Sequence, residues 1–314
     1  MAHPQPALRR GDLAATPPLR RSPACGEYPE QRGNRGAPSG DAPGSGRTKL
    51  TLEHETAATA VNDIFDVAGL RMVITGGASG IGLAATRALL ARGADVEIWD
   101  MREERIGRAV ATELEPWRER VTPRVLDVAD VAAVEHAAAA ALEGGPVDVL
   151  INSAGISSLR RPVLEIPDAD WERMLAVNLM GTLHTCRALG RAMIARGSGS
   201  IITVTSVDAV DPSPGILHYA VSKAGVAMLT TGLGREWAGT GVRVNAVGPG
   251  PVHTPLTEPI LAKTPGLHER WVASVPLGRI GEPEDLAGIF VYLASPASAW
   301  VTGRSFYIDG GWLL

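Results

Sequence analysis

From Asp66 onward, short apolar runs alternate with helical patterns to the end of the chain, and that alternation leaves few folds open. Arg71–Thr75 (RMVIT), Val96–Trp99, Val147–Asn152 (VDVLIN), Ser200–Thr205 and Val242–Val247 are apolar along most of their length rather than at every second residue. A strand with two apolar faces needs cover on both, and in a β–α–β chain that cover comes from helices above and below a parallel sheet. A third strand ending at Val125–Asp127 and a seventh at Ser305–Ile308 complete the series. Helical patterns over Gly82–Arg92, Arg102–Leu114, Val131–Leu142, Trp171–Arg196 and Tyr219–Trp237 fall between them. The expectation is one doubly wound α/β domain over residues 61–314, with a mainly parallel seven-stranded sheet.

Residues 1–60 read differently. The first fifty hold seven arginines and one lysine against four acids, and eight of the 23 prolines, with no apolar period. Such a stretch cannot bury enough surface to offset its ordering entropy, so a disordered Pro/Gly/Arg-rich tail is expected. Arg9–Arg10 and Arg20–Arg21 raise the question of an export signal, but no apolar stretch of about 7–15 residues follows either pair. Net charge is −4 over 314 residues, which gives no pull toward nucleic acid or an anionic membrane. Two cysteines, Cys25 and Cys186, make neither a disulfide framework nor a metal-ligand pattern. A reduced, cytoplasmic setting without a metal site is expected.

The first strand runs into Gly76-Gly77-Ala78-Ser79-Gly80-Ile81-Gly82 and then a helix. Small residues there let the backbone approach a pyrophosphate, while the helix start offers free N–H groups and the positive end of its dipole. The placement between strand and helix of a βαβ unit identifies a Rossmann-type nucleotide turn. The second strand ends in Asp100, whose carboxylate can accept from both hydroxyls of an adenosine ribose and repel the extra phosphate of NADP. Asp100 also suits a plain helix cap for Arg102–Leu114.

Tyr219 and Lys223 stand four apart on one predicted helix face. With three lysines and four tyrosines in 314 residues, chance seldom makes that pair. A free phenol has a pKa of about 10, and an ammonium about 5 Å away at effective dielectric ~20 lowers it by about two units. The expectation is therefore a tyrosine able to exchange a proton with an alcohol or ketone oxygen. Ser206, at the end of a strand, could hold the same oxygen. His184, His218 and His253 have no second ligand or base at fixed spacing; His218 reads as a pocket wall.

These elements resemble the short-chain dehydrogenase/reductase family over Val67–Leu314. The match rests on Thr75–Gly82 (TGGASGIG), Asp127–Val128, Asn152-Ser153-Ala154-Gly155, Asn178, the Ser206/Tyr219/Lys223 set, Val244–Thr254 (VNAVGPGPVHT), Pro276–Arg279 and Asp309-Gly310-Gly311. The resemblance implies that Asn178, Ser206, Tyr219 and Lys223 are catalytic, with Asn178 supporting a water relay to Lys223. It implies cofactor contacts at Gly76, Ser79, Gly80, Ile81, Gly82, Asp100 and Met101, with Asp127 and Val128 flanking the adenine. Asn152, Ala154 and Gly155 would serve the ribose side through their backbone, Tyr219 and Lys223 the nicotinamide ribose, and Pro249, Gly250, Val252 and Thr254 the carboxamide. Two mild departures are Asn152-Ser153, where Asn-Asn is usual, and Gly248 before Pro249-Gly250.

Segments such as VLINSAGIS and GRAMIARGSGSII look most like the polyol and sugar-alcohol dehydrogenases of the family, so the expected substrate is a small secondary alcohol or its ketone, with NAD rather than NADP. The alternatives are a 3-oxoacyl-(acyl-carrier-protein) reductase using NADPH, and a nucleotide-binding sensor or scaffold without turnover. The resemblance also implies a homotetramer, packed through apolar outward faces of Trp171–Arg196 and Ser222–Trp237 and through the last strand.

Overall fold

The computed structural model describes residues 64–314; the tail expected over 1–60 lies outside the described residues. Seven strands, β1 (Arg71–Thr75), β2 (Asp95–Asp100), β3 (Val121–Val125), β4 (Val149–Asn152), β5 (Gly199–Val204), β6 (Val242–Pro249) and β7 (Ser305–Ile308), form one sheet in the order β3-β2-β1-β4-β5-β6-β7. Every neighbouring pair is parallel. The helices are α1 (Gly80–Leu90), α2 (Glu103–Ala111), α3 (Val131–Glu143), α4 (Asp168–Leu175), α5 (Gly181–Arg196), α6 (Leu217–Trp237), α7 (Glu258–Lys263), α8 (Leu267–Ser274) and α9 (Ala287–Ala294).

Alternate residues of the strands divide the core between two faces. Met72, Ile74, Ile98, Ile151 and Ile202 meet Ala85 and Leu89 of α1 and Phe290 and Leu293 of α9. Val73, Trp99, Leu150, Ile201 and Val244 meet α3, α5 and α6 through Val134, Ala138, Leu189, Met193 and Leu233. Burial on both faces is what made the strands read as continuous apolar runs. After β1 the chain builds β2 and β3 to one side, and from β4 onward it builds to the other. The connections after β1 and β4 therefore diverge, opening a crevice at the C-terminal edge of the sheet.

Several boundaries differ from expectation. The third strand stops at Val125, and Leu126 leaves the ladder after one more bond to Asp100. The long helix expected over Trp171–Arg196 begins at Asp168 and contains a π-turn, Ala176–Met180, between α4 and α5. It ends at Gly197, whose φ of 79° lets its N–H reach back to Met193 and Ile194 carbonyls. Helices α7, α8 and α9 were not expected; they are six or eight residues long, too short for a clear period.

Candidate active site

The turn after β1 is built around glycines that no other residue can replace without moving backbone. Gly76 has φ +65°, and a Cβ there would stand 2.9 Å from the backbone of Ala154. A Cβ on Gly82 would stand 2.2 Å from the Gly76 carbonyl oxygen. Close approach of the first and third glycines curls the turn over the start of α1. Ser79 occupies the N-cap position but makes no capping hydrogen bond, so the N–H groups of Gly80, Ile81 and Gly82 face the crevice without a side-chain acceptor. Gly80 lies against the Thr254 side chain, which brings the segment after β6 to the same place.

Asp100 ends β2 and is only 6% exposed. Its Oδ1 accepts the Arg102 N–H at 3.2 Å, with Arg105 Nη1 at 3.8 Å, while Oδ2 is buried with no hydrogen-bond partner among the described residues. The helix-cap reading accounts for one carboxylate oxygen and leaves the other over. A buried orphan acceptor is costly unless a ligand supplies its donor, and a ribose diol is such a ligand. Met101 beside it is half-exposed at the rim.

The other residues expected on the cofactor side are tied to the protein. Asp127 accepts the Ala129 N–H at 3.0 Å and pairs with Arg173 at 2.9 Å; burial works against its charge, but these partners outweigh it and hold the carboxyl below the usual range. The buried Val128 packs on Gly181 and accepts from His184 Nδ1 at 3.1 Å. Asn152 turns its side chain into the core, accepting from Thr185 at 2.6 Å, so only its backbone faces the crevice side. Thr75 Oγ1 holds the Ala154 N–H at 3.1 Å. Gly155 lies close to both Asn178 and Lys223: a Cβ there would be 3.3 Å from Asn178 Oδ1 and 3.5 Å from Lys223 Nζ. Gly250 is pressed against Asp309, Val252 bridges to Gly281, and Thr254 is locked to Thr257.

The chemical residues converge where β5, α5 and α6 meet. Asn178 sits in the π-turn, 1% exposed; its Oδ1 accepts the Ile156 N–H at 2.8 Å, and its Nδ2 donates to the Ile156 carbonyl and to Ser222 Oγ, each at 3.0 Å. It thus clamps the loop after β4 to α6. Lys223, one turn beyond Tyr219, donates from Nζ to the Val204 carbonyl at 2.8 Å and stands 5.8 Å from the Tyr219 ring centre. Burial pulls its pKa down to about 8. Ser206 Oγ donates to Asp208 Oδ2 at 3.2 Å and accepts the Asp208 N–H at 3.1 Å.

One expectation is corrected. Lys223 was expected to lower the Tyr219 pKa by about two units. Burial instead pushes the phenol well above its ordinary value, the Asp208 charge adds to that, and only the Ser206 hydroxyl pulls it back. Desolvation of a phenolate outweighs an ammonium whose own charge is weakened by the same burial. His218, beside Tyr219, is buried, tilted against Trp171, and bonded through Nε2 to Ser158 Oγ at 3.0 Å.

Sequence reasoning missed how closely Asp208 couples to Ser206, although a Ser-x-Asp sequence after a strand is a turn pattern that signals it. It also missed Ser222 and Thr75, which act on the site through hydrogen bonds rather than by facing it. A cavity of about 600 Å³ lies elsewhere, lined by His253, His268, Val272, Arg279 and Glu282, and none of the chemical residues borders it. Among the described residues, no group of three or more His, Cys, Asp or Glu is placed to hold a metal ion, and no helix is long and apolar enough to cross a membrane.

Known proteins share this arrangement. A family model described as Enoyl-(Acyl carrier protein) reductase matches residues 76–313. Galactitol 2-dehydrogenase (L-tagatose-forming) of Cereibacter sphaeroides is 42% identical over 252 residues, covering 79% of this chain and 97% of that protein. A 3-oxoacyl-(acyl-carrier-protein) reductase of Chlamydia pneumoniae is 36% identical over 244 residues, 77% of this chain and 96% of that one. The crystal structure of a gluconate 5-dehydrogenase from Burkholderia cenocepacia, in complex with NADP and tartrate, superposes with a TM-score of 0.75 at 36% identity, covering 81% of this chain and 98% of that chain. The chain belongs to the short-chain dehydrogenase/reductase family and is an oxidoreductase acting on secondary alcohols.

Proposed function

We propose that this protein is an NAD(H)-dependent polyol or sugar-alcohol dehydrogenase with Tyr219 as its acid/base. The observation that carries the reading is the meeting of Ser206, Tyr219 and Lys223, together with the orphan oxygen of Asp100 at the end of β2. When bound, the nicotinamide supplies the hydride acceptor. The glycine turn with Ser79 and Ile81 holds the pyrophosphate, and Asp100 Oδ2 takes the ribose hydroxyls with Met101 at the rim. Val128 and the Asp127 backbone border the adenine, the Asn152–Gly155 backbone lines the ribose side, and Pro249, Gly250, Val252 and Thr254 frame the carboxamide. Tyr219 Oη moves the proton of the substrate oxygen, Ser206 Oγ positions that oxygen, Lys223 favours the ionised phenol, and Asn178 holds α6 and the β4 loop in register.

Identity to the galactitol dehydrogenase supports a polyol substrate. The reductase relative supports a second reading, reduction of an acyl thioester with NADPH, and the NADP in the gluconate dehydrogenase structure shows that some relatives take that nucleotide. The buried carboxylate of Asp100 favours NAD, because a 2′-phosphate would face it at close range. Polyols, hydroxyacids and acyl thioesters assayed at 340 nm with both nucleotides separate the readings. Polyol oxidation is expected with a kcat/KM at least about tenfold higher for NAD than for NADP, a gap of about 1.4 kcal/mol, and Asp100→Ala should bring the two close together. Wild-type preference for NADPH with a thioester would replace the first reading by the second.

We also propose a homotetramer. Of the two stretches expected to present apolar outward faces, Ser222–Trp237 exposes Met228 at 71%, with Leu217 and Val221 just before it on α6, and Trp171–Arg196 exposes Met180 together with Arg187 and Arg191. The edge strand β7 is half-exposed, and Trp300 and Leu314 are fully so. A closed symmetric assembly would bury these groups. Light scattering should give four times the chain mass, for the full chain and for one beginning at Thr59. A monomer in both would refute the assembly, and a tetramer lost on truncation would give the tail a role.

A further inference from the structure

The proton-transfer pair shares its pocket with a carboxylate that the reaction does not require. Asp208 Oδ2 accepts from Ser206 Oγ at 3.2 Å, and Oδ1 accepts the Ser213 N–H at 2.9 Å. These bonds fix the carboxylate beside the hydroxyl that positions the substrate oxygen. No lysine or arginine forms an ion pair with it among the described residues. The arginines of the facing loop are engaged elsewhere: Arg160 donates to the Pro214 carbonyl at 2.9 Å and Arg161 pairs with Asp170 at 3.1 Å. The field of Asp208 also reaches Tyr219, since it raises the phenol's pKa. A negative charge outside any ion pair among the described residues therefore stands close to both groups that must touch the reacting oxygen, in the same site as the Lys223 ammonium.

We propose that Asp208 is a specificity-determining residue that selects neutral or cationic polyhydroxylated alcohols and turns away substrates carrying an anionic group next to the reacting carbon. The inference rests on the polyol reading of the same site and narrows it. A carboxylate offers about four lone-pair sites, and two of those on Asp208 are filled by Ser206 and Ser213. The remainder can accept from a hydroxyl on the carbon beside the reacting one. A substrate carboxylate in that place would meet a like charge at about 6 Å, which at effective dielectric ~20 weakens binding by up to about a hundredfold, less where solvent enters.

D-Glucitol and D-gluconate differ by a terminal CH₂OH against a carboxylate, and the ratio of their kcat/KM values is the readout. Wild type should favour glucitol by about tenfold or more, and Asp208→Asn, which keeps the shape and can keep the Ser213 bond, should shrink that ratio at least about tenfold. Asp208→Ser serves as a second variant if the first does not fold. A ratio unchanged in a folded variant, or a wild type indifferent to the charge, overturns the proposal. If wild type turns over neither compound, the polyol reading fails on its own. The same ratio is then taken with methyl lactate and lactate, whose carboxyl group is bonded to the reacting carbon, and judged by the same criterion; no turnover of that pair overturns the charge selection as well.

Discussion

Replacing Tyr219 by Phe is expected to remove turnover while nucleotide binding survives. The change deletes one oxygen and keeps the ring, so α6 retains its packing and Lys223 retains its bond to the Val204 carbonyl. Removing a positioned acid/base costs about 10²–10⁴ in rate, and the upper part of that range is expected because no neighbour can replace the phenol. Ser206 already donates to Asp208, and the His218 Nε2 is held on Ser158, one face of the helix away. Loss of about a thousandfold in kcat corresponds to about 4 kcal/mol of barrier. Turnover followed at 340 nm, with nucleotide binding followed by quenching of tryptophan fluorescence, checks both halves. Retention of more than a few per cent of kcat would remove Tyr219 from the acid/base role.

How much of this site can be read from sequence depends on how local each relation is. The glycine turn, Asp100 at a strand end and the Tyr219–Lys223 pair are legible because each is a spacing within one element or across one connection. The unusual burial of whole strands gave the layered α/β fold for the same reason. Adjacency of β4 to β1, which opens the crevice, is a long-range property that no spacing along the chain reveals. Asn178 was placed on a continuous helix; that it lies in a π-turn, with its amide turned toward Ile156 and Ser222, depends on three segments meeting. The direction of the Tyr219 shift was misread because spacing reveals the ammonium but not the depth of burial that weakens it.

Lys223→Met should cost about a hundredfold or more in kcat/KM for alcohol oxidation, and should shift the pH profile as well as the rate. The Lys223 Nζ stands 5.8 Å from the Tyr219 ring centre, and a positive charge there acts against the burial and the Asp208 charge that raise the phenol. Burial depresses its own pKa to about 8, so its support is complete well below that value and is lost as pH rises through it. Methionine, of similar length, leaves that support absent at every pH. The oxidation profile should then lose the inflection that Lys223 contributes near pH 8. The Val204 carbonyl also loses its buried donor, at a stability cost of about 1–3 kcal/mol, and thermal melts measure that separately from the profile. Lys223→Arg should not rescue, because the larger guanidinium must fit where Gly155, Asn178 and Val204 already enclose the terminal nitrogen. A Met variant with an unshifted profile and more than about a tenth of wild-type kcat/KM would show that Lys223 only fills space, and the ionisation of Tyr219 would have to be driven from elsewhere in the site.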